Sequence, residues 1–424
     1  MSETEPDDGR SQVVTTEVPV PFLKRVKIRN YKSIVNCDVE LGAFTVLVGR
    51  NGAGKSNFLD ALSLVVDALR TSLGEAIKAR GGIHEVFFRK AGQPKKFEIE
   101  MEFEVRSEYL AHYGFGVYEK DGDGFEVEWE RLNVRSENGV LSTVERNFEK
   151  VRTYNEASNY SKDYSYYGND LILKLTQNSV CLDDDCAAGL EEMNFYDLNP
   201  PKMVPPATHR AGEFLMHDGS NIASIFGRIE RDRPEVKNRI IEYLAAIVPG
   251  VTDIKRVSLG PYETLEFTQR QSGSDSSTVF YPLNMSDGTL RAFGALVAVN
   301  QLAEGNVPVS LVGIEEPETA LHPAAAGALM DALHEAAVHT QIILTTHSPD
   351  LLDRLDLETD RILVVESQNG ETRIGPIDNA SRKAIKEHLY SPGELLRMDQ
   401  LEADWNDLER QRQAKSLEAT GEPE

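Results

Sequence analysis

Apolar and acidic residues alternate without a break along residues 97–105, where Phe97, Ile99, Met101, Phe103 and Val105 are separated by Glu98, Glu100, Glu102 and Glu104. Successive strand side chains point to opposite faces, so the pattern predicts a strand with one buried and one wet face. It returns at Phe125, Val127 and Trp129, and Asp121-Gly122-Asp123-Gly124 between the two segments reads as a hairpin turn. Asp-x-Asp-Gly also opens calcium loops, but the later ligands of such a loop are missing here. Nearer the start, Val26 and Ile28 alternate with Lys27 and Arg29, and Phe44-Thr45-Val46-Leu47-Val48 reads as a buried strand. Phe58, Leu62, Val65 and Leu69 then follow at spacings of four, three and four, the stripe of a helix.

The second half changes rhythm. Helical spacing covers 221–247, strands are predicted at 265–268 and 279–281, and from there helices (286–302, 324–337, a short one at Leu351) alternate with strands (309–314, 342–345, 362–365). Such alternation implies a parallel α/β sheet, in which the first strand–helix unit joins the last three strands across a long insertion. Residues 134–210 are polar, and the tyrosines between Tyr154 and Tyr167 read as an exposed insertion rather than a base-stacking surface. The expected organisation is a disordered stretch at 1–20, an N-terminal lobe with an antiparallel sheet at 21–135, a partly helical insertion at 136–255, a C-terminal lobe at 256–380, a helical tail at 381–413 and a disordered end at 414–424. In the tail, Leu395, Leu401 and Leu408, with Trp405 nearby, form an apolar stripe that suits either packing on the chain's own core or docking of a partner.

Composition narrows the classes. The 424 residues carry a formal net charge of −24, which opposes wholesale coating of nucleic acid. Two basic clusters leave room for a local DNA contact: Lys24, Arg25, Lys27, Arg29 and Lys32, and Arg89, Lys90, Lys95 and Lys96. Solvated strand faces are the simpler reading of both. No apolar run is long enough to span a membrane, the first twenty residues lack the pattern of a secretory signal, and Cys37, Cys181 and Cys186 make no disulfide framework. A reducing cytoplasm is the expected setting.

Chemistry concentrates in four motifs. Gly49-Arg50-Asn51-Gly52-Ala53-Gly54-Lys55-Ser56 matches the phosphate loop and sits between a predicted strand and a predicted helix, the context that gives the motif meaning. Its backbone N–H groups wrap phosphates, Lys55 reaches the β and γ phosphates of ATP, Ser56 holds Mg²⁺, and Asn57 follows at the helix start. The strand at 309–314 delivers Glu315 and Glu316 to the same crevice, where Glu315 suits Mg²⁺ and Glu316 suits activation of the attacking water. His347 ends the next strand, within expected reach of the γ-phosphate or the water. Ser286, Asp287 and Gly288 open a helix, and a hydroxyl and a glycine amide at a helix N-terminus make a second anion site, or simply a cap. One nucleotide has no need of two such cradles, whereas a second subunit's nucleotide would use the second.

Together with Ile314-Glu315-Glu316-Pro317-Glu318, Leu321-His322-Pro323, Thr346-His347-Ser348 and the opening Val26-Lys27-Ile28-Arg29-Asn30-Tyr31-Lys32-Ser33-Ile34, these motifs resemble the ABC-type ATPase heads of the SMC, RecF and OLD group. The resemblance implies an α/β P-loop NTPase head with an antiparallel β subdomain and a helical insertion between phosphate loop and signature. It implies ATP and Mg²⁺ as cofactors, and a head-to-tail homodimer in which Ser286, Asp287 and Gly288 touch the partner's nucleotide. In that group a glutamine after the first helix contacts Mg²⁺, and Gln93 is the candidate by position. No long heptad arms or Cys-x-x-Cys hook appear, and the 77 residues after His347 hold no strand-borne Asp-x-Asp pair of a toprim nuclease. The chain also looks like the short stand-alone ATPases of bacterial defence loci, whose effector is a separate, neighbouring gene product; His217-Asp218-Gly219-Ser220-Asn221 and residues 391–396 resemble segments of them. An ATP-dependent switch with such an effector is therefore the leading expectation. The alternatives are a RecF-like repair ATPase acting on DNA, or a slowly hydrolysing assembly scaffold.

Overall fold

A computed structural model describes residues 22–411, apart from 90–94, 107, 121–123, 138, 157–158, 176–181, 210–213, 271–275, 303–308 and 405. The described strands, in chain order, begin with β1 (Leu23–Tyr31), β2 (Ile34–Glu40), β3 (Phe44–Val48), β4 (Lys96–Val105), β5 (Tyr109–Lys120) and β6 (Gly124–Ser136). There follow β7 (Gly139–Asn147), β8 (Lys150–Asn155), β9 (Tyr160–Ser165), β10 (Asn194–Tyr196), β11 (Ala207–Thr208), β12 (Val251–Leu259), β13 (Tyr262–Arg270) and β14 (Ser277–Phe280). The last are β15 (Leu311–Glu315), β16 (Gln341–Thr346), β17 (Arg361–Gln368) and β18 (Glu371–Pro376).

Fourteen of them form one sheet, ordered β10-β15-β16-β3-β17-β18-β2-β1-β4-β5-β6-β7-β8-β9. From β10 to β17 neighbours run parallel, and β3 from the start of the chain lies between β16 and β17 from its end. The residues of β3 are buried without exception, as in a sheet covered on both faces. Leu47, Leu311, Ile343 and Leu363 face the helix Lys55–Arg70, while Val46, Val312, Ile342 and Val364 face the helices Asp287–Val299 and Pro323–Ala336. Residues 221–247 form two helices, Ile222–Asp232 and Pro234–Ile247, divided where Pro234 lacks an N–H to continue the ladder. Among the described residues, no helix is long and apolar enough to cross a membrane.

From β1 through β9 the sheet is an antiparallel meander. β5 and β6 pair up to Lys120 and Gly124, as a hairpin requires, although Asp121-Gly122-Asp123 lies outside the described residues. The strands do not stop at residue 135. β7, β8 and β9 continue the sheet to Ser165, so the Tyr-rich segment is strand rather than a loop-like insertion. The pattern misled there because polar groups hold buried positions through hydrogen bonds. Ser142 donates to Asp183 (2.6 Å), and buried Arg146 donates to the carbonyls of Phe148 (2.7 Å), Gly168 (2.5 Å) and Asp170 (2.9 Å).

The basic clusters find acids close by, in the sheet and on the helices beside it. Lys24 pairs with Glu104 (2.8 Å), Arg25 with Asp38 (2.6 Å), Arg29 with Glu98 (3.2 Å) and Lys32 with Asp60 (2.5 Å). In the second cluster Arg89 pairs with Glu85, Lys95 with Glu119 and Lys96 with Glu98 (3.1 Å), Lys90 lying outside the described residues. Cross-strand pairing of opposite charges thus accounts for the lysine and arginine alternation along β1 and the glutamates of β4.

The tail takes the first of its two expected roles. Leu395, Leu401 and Leu408 are buried on the chain's own core, where Ala403 bridges to Ile377, so the stripe offers no free face to a partner; Trp405 lies outside the described residues.

One polar junction ties the phosphate-loop helix to the end of β1 and to Arg80. Asp60, on the phosphate-loop helix, accepts hydrogen bonds from Tyr31 (2.6 Å) and Arg80 (2.9 Å) and pairs with Lys32. Burial alone would raise its carboxyl pKa, but Arg80, Lys32 and Tyr31 outweigh it and hold the group below the usual carboxylate range. Its stabilising contribution is therefore present above the pKa of the unfolded carboxyl and is lost as pH falls through the depressed folded value. Asp60→Ala is expected to cost on the order of 3 kcal/mol in urea unfolding at neutral pH. The cost should shrink as the pH is lowered through the carboxylate range, and a pH-independent difference would show that packing rather than charge holds the junction.

Candidate nucleotide site

At the C-terminal edge of the parallel strands the chain leaves β3, turns through residues 49–54 and enters the helix Lys55–Arg70. The turn is built for glycine at two places. A Cβ on Gly49 would lie 2.1 Å from the Val365 carbonyl oxygen, and Gly54, at φ 108°, would place one 2.1 Å from Thr372 Oγ1. Lys55 is only 5% exposed, and its Nζ donates to the carbonyls of Gly49 (2.8 Å) and Arg50 (3.2 Å). The loop is thus curled around its own ammonium group, with the unpaired N–H groups of the helix start beside it. Arg50 stays exposed, 3.5 Å from Asp399 of the tail. Asn57 turns its side-chain amide to Ser33 Oγ (2.6 Å), beneath the loop.

β15 brings the carboxylates. Its register with β16 sets Glu315 opposite Thr345, and the Ser56 hydroxyl donates to Glu315 Oε2. Glu316, at φ 40°, turns the other way, its N–H bonding the Thr345 carbonyl (3.0 Å). Glu316 Oε1 lies 3.1 Å from His347 Nδ1 and 3.6 Å from Lys55 Nζ. Adjacent acids therefore divide, one to the helix serine and the other to the lysine and histidine. Burial raises the Glu315 pKa; the Ser56 hydrogen bond and His217 oppose this, while Asp197 and Glu316 reinforce it. Burial also raises that of Glu318, whose Oε1 accepts from Thr346 while Oε2 has no hydrogen-bond partner.

Ser286 caps the helix Asp287–Val299, its Oγ accepting from the Thr289 N–H (3.1 Å). Ser286 and Asp287 are exposed, whereas Gly288 is buried, and a Cβ there would meet the Ala320 carbonyl oxygen at 2.4 Å. The start of this helix therefore rests on the loop that follows Glu316. Gln93 lies outside the described residues.

Sequence reasoning passed over several participants. Asp197 follows β10, whose Tyr196 stands opposite Ile314, so it reaches the sheet edge beside Glu315, and His217 is held there by Nδ1 against the Phe195 carbonyl (2.9 Å). Neither lies in a recognisable motif of the catalytic strands; the His217 segment carried a resemblance but no derivable role. Thr372 carried no sequence signal and Ser33 stood only within the opening segment, and their contact under the loop joins parts of the chain 339 residues apart.

The donor set fits a nucleotide with Mg²⁺. The loop and Lys55 present positive charge and N–H groups, and Ser56 with Glu315 presents the hard oxygens that Mg²⁺ takes. Among the described residues no group of three His, Cys, Asp or Glu side chains could hold a metal ion. Mg²⁺ is commonly held through one or two protein oxygens, with substrate phosphates and water completing its shell.

Two family models match the chain. One, described as "AAA ATPase domain", covers residues 22–191, and the other, "AAA domain, putative AbiEii toxin, Type IV TA system", covers residues 208–353. An OLD nuclease of Thermus scotoductus is 24% identical over 363 residues, 78% of this chain and 60% of that protein, so the chain spans less than two thirds of its relative's length. A solved SMC head bound to the C-winged helix domain of ScpA aligns at TM-score 0.52 and 16% identity, over 86% of this chain and 100% of that one. An SMC head domain from Thermotoga maritima aligns at TM-score 0.40 and 16% identity, over 84% of this chain and 99% of that one.

Proposed function

Because the chain is an ATPase head of the SMC, RecF and OLD type, we propose that it binds and hydrolyses ATP between two copies of itself and uses the cycle to switch a separate effector protein. The observation that carries the catalytic reading is the convergence of Lys55, Ser56, Glu315, Glu316 and His347 from one helix and two adjacent strands. Lys55 and the loop amides bind the phosphates, and Ser56 and Glu315 hold Mg²⁺, which neutralises phosphate charge when bound. Glu316 orients and deprotonates the attacking water. His347, its Nδ1 against Glu316, holds that carboxylate in place and, as an imidazolium, has a second N–H to offer the phosphate.

The exposed Ser286 and Asp287 support a shared site. A hydroxyl and a helix N-terminus aimed at solvent suit the phosphates of a facing subunit. The effector reading draws on the relatives: one is named a nuclease, one family description mentions a toxin system, and one SMC head binds another protein. Direct coating of DNA is disfavoured by the net charge and by the acids that pair with both basic clusters. A role in defence against phage or mobile elements follows from this reading and is tested by the effector.

Two outcomes are expected. Lys55→Ala loses ATP binding in calorimetry, whereas Glu316→Gln binds ATP and slows steady-state phosphate release about 100-fold or more. Wild-type turnover by Glu316→Gln would move the water-activating role to Glu315. Ser286→Arg binds ATP but does not hydrolyse it, and its mixture with Lys55→Ala recovers up to one working site of the two in a mixed dimer. Full activity of a strictly monomeric protein would end the shared-site reading.

A further inference from the structure

Beneath the phosphate loop runs a chain of four polar groups drawn from three distant parts of the sequence. The Asn57 amide donates to Ser33 Oγ (2.6 Å), Ser33 Oγ lies 2.6 Å from Thr372 Oγ1, and Thr372 Oγ1 donates to the Ala53 carbonyl (2.7 Å). A hydroxyl has one proton to give. Thr372 spends its proton on Ala53, so the bond between the two hydroxyls must run from Ser33 to Thr372. Every donor in the chain therefore points the same way, from Asn57 through Ser33 and Thr372 to the loop. Thr372 is 1% exposed and is fixed by β18, its N–H bonding the Ser33 carbonyl (2.8 Å).

We infer that Thr372 and Ser33 are positioning residues for the nucleotide, acting through the Ala53–Gly54 peptide; this rests on the ATP reading given above. A trans peptide is planar, with its C=O and N–H directed oppositely. Pinning the Ala53 oxygen to Thr372 therefore turns the Gly54 N–H away from Thr372, to the side of the turn where phosphates are to be bound. Serial hydrogen bonds polarise one another, which strengthens the hold on that peptide. Gly54 itself is seated against the Thr372 side chain, with no room for a Cβ. The anion cradle is thus set before any ligand arrives. Its anchor lies on β18 and in the turn between β1 and β2, away from the run of parallel strands from β10 to β17.

The test compares Thr372→Val, which keeps the shape and removes the hydroxyl, with Thr372→Ser, which keeps the hydroxyl, Lys55→Ala serving as reference. Thr372→Val is expected to weaken ATP binding about 10-fold in calorimetry, the equivalent of one lost hydrogen bond, and to raise KM with kcat little changed. In the nucleotide-free protein, amide hydrogen exchange at residues 53–56 should speed up. Thr372→Ser should restore both affinity and protection. Should Thr372→Val fail to fold, Ser33→Ala breaks the same chain one step earlier and is expected to give the same two changes. Wild-type affinity and exchange in the valine variant, or equal impairment of valine and serine variants, would overturn the inference. Loss of binding in Lys55→Ala alone would then leave the ATP reading standing, whereas intact binding in Lys55→Ala would remove that reading itself.

Discussion

A lysine ammonium held at 5% exposure is the constraint around which the site is arranged. Removing such a charge from water is costly unless charge and hydrogen bonds meet it. Here two loop carbonyls and Glu316 meet it, and that demand fixes the curl of residues 49–54 and the place of β15 beside it. The same arrangement is what an anionic ligand needs: a concentrated positive charge, oriented amides and a carboxylate at its margin. Stability and function therefore draw on one geometry.

The loop after Glu316 departs from easy backbone conformations. Glu316 at φ 40° and Ala320 at φ 67° both occupy the left-handed region that side chains other than glycine enter at a cost. Glu318 and Thr319, between them, each have a buried oxygen with no hydrogen-bond partner. The helix that starts at Ser286 presses on this loop through Gly288 and Ala320, and the Thr346 hydroxyl grips it through Glu318. The unusual backbone is thus gathered in five residues, touched on one side by the helix start at Ser286–Gly288 and on the other by Thr346.

Much was legible where a motif is local. The phosphate loop lies on consecutive residues, its helix shows a clean stripe at Phe58, Leu62, Val65 and Leu69, and the carboxylate strand is a run of buried residues ending in acids. Legibility failed where polar groups took core positions. Ser142 and Arg146 disguised β7, whereas the basic residues of β1 keep to the solvated strand face that was their simpler reading, paired there with acids. It failed again at the tail, where a stripe of leucines is the same whether it faces its own core or a partner.

By itself, then, the sequence determined the local patterns: the glycine-rich turn between strand and helix, the paired acids, the strand-ending histidine and the capped helix, because each is a pattern of neighbours whose spacing follows from helix or strand geometry. Tertiary structure alone decided which of these patterns meet. The parallel register sets Glu315 and Thr345 side by side, β10 carries Asp197 to the same edge, and β18 delivers Thr372 beneath Ala53, which lies 319 residues earlier in the chain. Side-chain periodicity reports which face of an element is buried, but not which element covers it. That choice belongs to the packed sheet.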